Sequence, residues 1–164
     1  MSRIKKEGLG LRTLYIKIIQ KLTSIKGTPE AIAKGFATGV AMSFTPFVGF
    51  HLLLCIFISK ITKQNSIAGA LGTIAGNPWT FPIIWYLVFH MGIFILGHDA
   101  PEDKIDFKSL FKELFHCVIN LDFSRFWVDI WPIFYPMLIG CIPLYLIIWQ
   151  VVYRTIKRVL EKKK

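Results

Sequence analysis

Two proline breaks, each inside a long run without charge, set the limits on what this chain can fold into. The first is Thr45-Pro46-Phe47-Val48-Gly49-Phe50-His51 and the second is Asn77-Pro78-Trp79-Thr80-Phe81-Pro82. Neither Gly35 to Ser59 nor Gln64 to Gly97 contains a Lys, Arg, Asp or Glu. Runs this long and this apolar predict lipid-embedded segments rather than the core of a small soluble domain. A proline within such a run lacks a backbone donor and clashes with the preceding turn, so a helix must stop or kink there. At membrane depth the freed backbone groups survive only when buried in protein or lining a watery cavity.

A ladder of small residues leads into each break. Ala31, Gly35, Gly39 and Ser43 fall four apart before Pro46, and Ala68, Gly72 and Gly76 fall four apart before Pro78. Small residues at this spacing give a helix one smooth face, which another backbone can approach closely. The two units resemble a repeat of about 33 residues. Paired broken helices would suit a site near the bilayer midplane, as in transporters built on repeats.

These residues also carry a family resemblance. Thr28-Pro29-Glu30, Gly35 and Gly39, then Pro46, Gly49 and His51, then Asn77-Pro78, Thr80 and Pro82 resemble the bacterial membrane family catalogued as domain of unknown function 2062. The likeness covers about residues 28 to 98 and continues weakly toward the C-terminus. It implies a membrane location and no reaction. Fusion of some members to glycosyltransferase domains hints at envelope chemistry.

Composition agrees with a membrane chain. At 164 residues the length suits one domain, while 54% hydrophobic residues and a mean hydropathy of +0.52 are too apolar for an ordinary soluble fold. The net charge of +10 gathers at the ends, with no aromatic-interleaved basic motif, so nucleic acid is not expected as a partner. Cys55, Cys117 and Cys141 are odd in number and far apart, which indicates neither a disulfide framework nor a metal site. The charged, amphipathic start does not read as a cleavable signal peptide.

In chain order, residues 1–27 read as a basic amphipathic N-terminal segment. Leu11, Leu14, Tyr15, Ile18, Leu22 and Ile25 recur at helical spacing, with Arg12, Lys17 and Lys21 between them. Such a helix either packs on the protein's own membrane domain or lies on anionic headgroups. Gly27 would end it, and Thr28-Pro29-Glu30 would start the next with a cap, a first-turn proline and an acid. Residues 28–98 form the membrane core and 99–130 a polar connection, amphipathic over 105 to 127. Residues 131–153 are a C-terminal span bounded by Trp131, Trp149 and Tyr153, and 154–164 a basic tail.

Charge sets the expected topology. Eight Lys or Arg residues precede Gly35 and six lie from Arg154 to Lys164, which puts both termini in the cytoplasm. The connection Lys60-Ile61-Thr62-Lys63 is basic too. Gly35 to Ser59 then has to enter and leave on one side, as a re-entrant hairpin turning at Thr45 to Gly49. The 64–97 unit crosses, and the last span crosses back; three plain crossings would leave the tail outside. The expected fold is thus all-α: a small polytopic protein of the bacterial inner membrane, with broken or re-entrant helices and flanking amphipathic helices.

Thr45, Pro46, Gly49, His51, Asn77, Pro78, Thr80 and Pro82 are the candidate polar site or helix-break residues. His51 and His90 are ionisable groups within apolar runs, able to carry a proton or meet a headgroup. Alternatively, each satisfies a carbonyl freed by a break or points to an interface. No Ser, His and acid arrangement, paired carboxylates, His-Glu-x-x-His or phosphate loop occurs, so no catalysis, metal or cofactor is expected. Two functions remain: transport or handling of a small solute or lipid, and a non-catalytic anchor or assembly partner. Expected partners are the bilayer with its anionic lipids, and a second membrane protein or another copy of the chain.

Overall fold

The computed structural model describes residues 11–47, 49–97, 116 and 130–162, and these are helical without strands. The elements are α1 (Leu11–Thr23), α2 (Pro29–Met42), α3 (His51–Ile61), α4 (Ser66–Gly72) continued by a 3-10 turn at Thr73–Ala75, α5 (Phe81–Leu96) and α6 (Trp131–Glu161). The expected amphipathic stretch at 105 to 127 lies outside the described residues, apart from residue 116.

Helix α2 begins where the cap chemistry predicts. The Ala31 amide donates to Thr28 Oγ1 at 3.1 Å, Pro29 occupies the first turn, and Glu30 pairs with Lys34 at 2.7 Å. That pairing lowers the Glu30 carboxyl pKa, first through the Lys34 hydrogen bond and then through its charge. Helix α2 ends because Pro46 offers no amide to the Met42 carbonyl. The chain tightens instead: the Thr45 amide at 3.0 Å and Thr45 Oγ1 at 2.7 Å both donate to that carbonyl. Gly49, at φ 84, then supplies the left-handed turn that sends α3 back alongside α2.

The second break has no positive φ, and the chain continues onward instead of reversing. Contact registers first fix the direction of α4. Added Cβ atoms at Gly35 and Gly39 would strike the carbonyls of Asn65 and Gly69, and one at Gly76 would stand 2.8 Å from Ser43 Cβ. Residues 35, 39 and 43 thus meet 65, 69 and 76, so α2 and α4 run parallel in backbone contact. Helix α3 descends alongside both, from His51 beside Thr45 toward the turn whose Asn65 amide donates to Ala31 O at 3.0 Å.

Helix α6 backs the whole body. Added Cβ atoms at Gly92 and Gly140 would strike the carbonyls of Pro136 and Val88, so α5 and α6 are antiparallel. Further down, Trp149 Nε1 donates to Thr38 Oγ1 at 3.0 Å, and with Phe47 beside Phe134 this makes α6 antiparallel to α2 as well. With 31 residues α6 is about 46 Å long, against about 21 Å for the 14 residues of α2. The α2–α3 hairpin therefore reaches only partway up α6, and α5 covers the remainder.

Two cores follow from this stacking. The upper one joins Trp85, Val88 and Phe89 of α5 to Met137 and Cys141 of α6. The lower one joins Ile19 and Leu22 of α1, Ile32, Ala33 and Phe36 of α2, and Ile156 and Leu160 of α6. Helix α1 thus buries part of its apolar face on the protein's own body. It ends at Thr23, earlier than expected, with Gly27 in the turn that follows.

Helix α6 also departs from expectation, continuing helically past Tyr153 to Glu161 rather than yielding to a separate tail. Ile156 and Leu160 explain the extension, since each is buried in the lower core only if the helix continues. Pro136 and Pro143 lie inside α6 without ending it. Each removes one hydrogen bond, a cost that packing over the rest of the helix outweighs.

Surface chemistry divides along the same axis. Leu53, Phe57, Ile67, Ile83, Phe94 and Ile147 are exposed on α3, α4, α5 and α6. Apart from Arg12, the described charged residues sit at the opposite end from the α5 C-terminus: Lys17, Lys21, Lys26, Glu30, Lys34, Lys60, Lys63 and the stretch from Arg154 to Lys162. Among the described residues one helix, α6, is long and apolar enough to cross a membrane.

Candidate functional site at the two helix breaks

The breaks lie side by side. Ser43, at the end of α2, directs its hydroxyl to Thr73 O at 3.5 Å, a long contact, and to Gly39 O at 3.3 Å. His51 opens α3 and stacks on Phe81, which opens α5, with ring centroids 5.7 Å apart and planes 24° from parallel. Phe44 and Phe81 both pack against the upper core. On α6 the first break lies between the levels of Trp149, which bonds Thr38 of α2, and Phe134, which meets Phe47.

Within the first break the polar groups satisfy one another. His51 Nε2 donates to the Thr45 carbonyl at 3.2 Å, which fixes that nitrogen as the protonated one and closes the loop from 45 to 51. Thr45, Pro46 and His51 are buried, while Phe47, Gly49 and Phe50 form the exposed tip. Phe47 meets Phe134 of α6 edge to face at 6.3 Å.

The second break caps itself as well. Asn77 Oδ1 accepts from the amides of Trp79 at 3.0 Å and Thr80 at 3.1 Å. Thr80 Oγ1 in return accepts from the Asn77 amide at 3.0 Å and lies 2.8 Å from Ala75 O, to which it donates. The Ala75 carbonyl is among those the interrupted helix leaves without an i+4 amide partner. Pro78 is exposed between these groups, and Pro82 sits in the first turn of α5, where a missing donor costs nothing. Trp79 is 89% exposed at the turn.

The eight candidate residues thus fall into two adjacent clusters, each closed by its own hydrogen bonds. The observed side-chain bonds of Thr45, His51, Asn77 and Thr80 all stay within their own break. A side chain two or three residues away reaches a freed carbonyl without bending the backbone, so the local cap forms first. His90 is not part of this site. It lies exposed on α5, donates from Nδ1 to Tyr86 O at 2.9 Å and meets the Tyr86 ring at 4.0 Å, tilted by 35°.

A second polar group escaped sequence reasoning. Thr38 is fully buried, receives the Trp149 indole proton and donates to Gln64 Oε1 at 2.6 Å. It therefore ties α2, the α3–α4 turn and α6 together. Next to it, Asn65 caps α4 through the Ala68 amide at 2.9 Å and donates from Nδ2 to Lys26 O at 2.9 Å. The available signal for Thr38 was a lone hydroxyl between Gly35 and Gly39 on the same helix; its partners are distant in sequence.

Among the described residues no group of three or more His, Cys, Asp or Glu side chains could hold a metal. Cys55 and Cys141 are buried free thiols, and Cys55 Sγ lies 4.0 Å from Ser59 Oγ against Gly69. The site offers hydroxyls, an amide, an imidazole and backbone groups, a set suited to binding through hydrogen bonds.

No curated protein and no solved structure matches the chain. A family model does, and over more than the 28 to 98 stretch in which the resemblance was first visible: it takes in α1, both breaks and α6. The chain belongs to the family described as uncharacterized protein conserved in bacteria, DUF2062, whose model matches residues 12–164.

Proposed function

We propose that this is a multi-pass protein of the bacterial cytoplasmic membrane, whose paired breaks form a polar mid-depth site for a small solute or a lipid. One observation carries the reading: the breaks lie side by side near the middle of the apolar part of α6. From Trp131 to Tyr153 that part has 23 residues, about 34 Å of helix against an apolar bilayer core of about 30 Å. Phe134 and Trp149, whose contacts with Phe47 and Thr38 bracket the first break, lie on either side of its midpoint.

The surface supports the same placement. Apolar side chains exposed on α3, α4, α5 and α6 suit lipid, and the basic end suits the cytoplasmic side. In this frame α2 and α3 are a re-entrant hairpin. Helices α4 and α5 form one discontinuous crossing, α6 returns, and both termini are cytoplasmic. The chain binds cargo rather than transforming it, with Thr45, His51, Asn77 and Thr80 as the groups in reach. Their present bonds are internal, so a cargo would exchange for them.

Cysteines placed singly at Phe47, Phe50 and Trp79, in a background without Cys55, Cys117 and Cys141, test the proposal. A membrane-impermeant maleimide should reach at least the Phe50 and Trp79 positions from the periplasmic side. Failure to label all three from either side would remove the wet site and favour the alternative, a non-catalytic anchor for another membrane protein or a second copy of the chain.

A further inference from the structure

At the basic end, a cleft of about 270 Å³ opens between the end of α1, the start of α2 and the last turn of α6. Its walls include Leu22, Ile25, Ile32 and Leu160, and Lys26 lines it too. The turn carrying Lys26 is fixed, because its carbonyl accepts from Asn65 Nδ2 at 2.9 Å and Gly27 follows at φ 146. The Lys26 side chain itself is exposed. We propose that this cleft binds one anionic phospholipid of the cytoplasmic leaflet, with the phosphate at Lys26 and the first methylenes of a chain against the apolar wall.

Charge and depth argue for that occupant. The two described acids at this end are each matched to a lysine one turn away, Glu30 to Lys34 at 2.7 Å and Glu161 to Lys157 at 4.0 Å. The basic residues around them therefore leave a positive field at the mouth of the cleft. Lys34 and Arg154 are the first charges met when leaving the apolar body along α2 and α6. Ile32 lies about 3 Å and Leu160 about 9 Å beyond them along the helix axes. Ile32 therefore lies within the headgroup layer, about 5–7 Å thick on each side of the apolar core, and Leu160 at its outer edge. A lipid there keeps its phosphate in the polar layer while its chain meets buried side chains. The inference rests on the membrane placement and not on the mid-depth site, so carbonate extraction tests its premise separately.

The full-length chain, released from nanodiscs of equal phosphatidylglycerol and phosphatidylcholine into a native mass spectrometer, provides the test. We expect one retained phosphatidylglycerol per protomer in preference to phosphatidylcholine. Lys26→Gln should lower that preference by about fivefold, the factor given by about 1 kcal/mol per basic residue near an anionic surface. Ile25→Trp, which fills the cleft, should abolish retention. Equal retention of both lipids, no retained lipid, or a preference unchanged by Lys26→Gln would overturn the proposal. Since Lys26 is exposed, Lys26→Gln decides the matter even if Ile25→Trp does not fold.

Discussion

Gly39→Ala adds one methyl group where α2 crosses α4, and the structure leaves it no room. The new Cβ would collide with the Gly69 carbonyl oxygen and stand 2.9 Å from both Gly69 C and Gly72 Cα. All three obstacles are backbone, so no rotamer change relieves the clash. Ordinary contact of about 3.5 Å or more requires the helices to part by roughly 1 Å. Parting them loosens packing along the rest of the crossing, where Ala33, Ala37 and Ala68 are fully buried. It also stretches the bond from Thr38 to Gln64, which joins α2 to the turn leading into α4. Overpacking in a tight core costs about 1–3 kcal/mol, and a strained buried bond adds to that. Gly39→Ala should therefore destabilise by about 2–3 kcal/mol, although alanine normally favours a helix over glycine by about 1 kcal/mol. Reversible unfolding in mixed detergent micelles, followed by circular dichroism, measures it. Ile67→Ala, at a 69% exposed residue of α4, is the control and should stay within about 0.5 kcal/mol. A Gly39→Ala protein as stable as its parent would refute the close crossing.

Other perturbations address other parts of the fold. Asn77→Leu strips the acceptor from the Trp79 and Thr80 amides and should cost about 1–3 kcal/mol in the same unfolding assay; no loss would mean the turn is held by something else. Thr38→Val keeps the shape but orphans Gln64 and the Trp149 indole, so a similar loss is expected together with a changed Trp149 emission spectrum. Reporter fusions at the two ends should both be active only in the cytoplasm, and a periplasmic C-terminus would remove the re-entrant hairpin.

Local chemistry was what the chain disclosed before its fold was known. Thr28-Pro29-Glu30 marked the start of α2, Pro46 and Pro78 marked where helices stop, and the glycine ladders marked close approach. Each of those is decided within a few residues. The direction taken after each break was harder to read, because it depends on Gly49 adopting φ 84 while the second break, with Gly76 and Asn77, carries the chain onward. Charge bookkeeping, rather than local pattern, pointed to a hairpin first and a continuing helix second. The Thr38, Gln64 and Trp149 contacts were illegible because 111 residues separate Thr38 from Trp149. The end of α6 was misplaced because charge from Arg154 onward suggested a tail, whereas Ile156 and Leu160 keep one face of it in the lower core.

The most direct test of the central claim, two helix breaks packed together inside one membrane body, is a disulfide between cysteines at Ser43 and Gly76. In the folded protein a Cβ at Gly76 lies 2.8 Å from that of Ser43, and a shift of about 1 Å brings the pair to disulfide spacing. In native membranes, without the three natural cysteines, Ser43→Cys with Gly76→Cys should cross-link under mild oxidation. The control, Ser43→Cys with Gly97→Cys at the far end of α5, should not. Equal yields for both pairs, or no product from the first, would contradict the account.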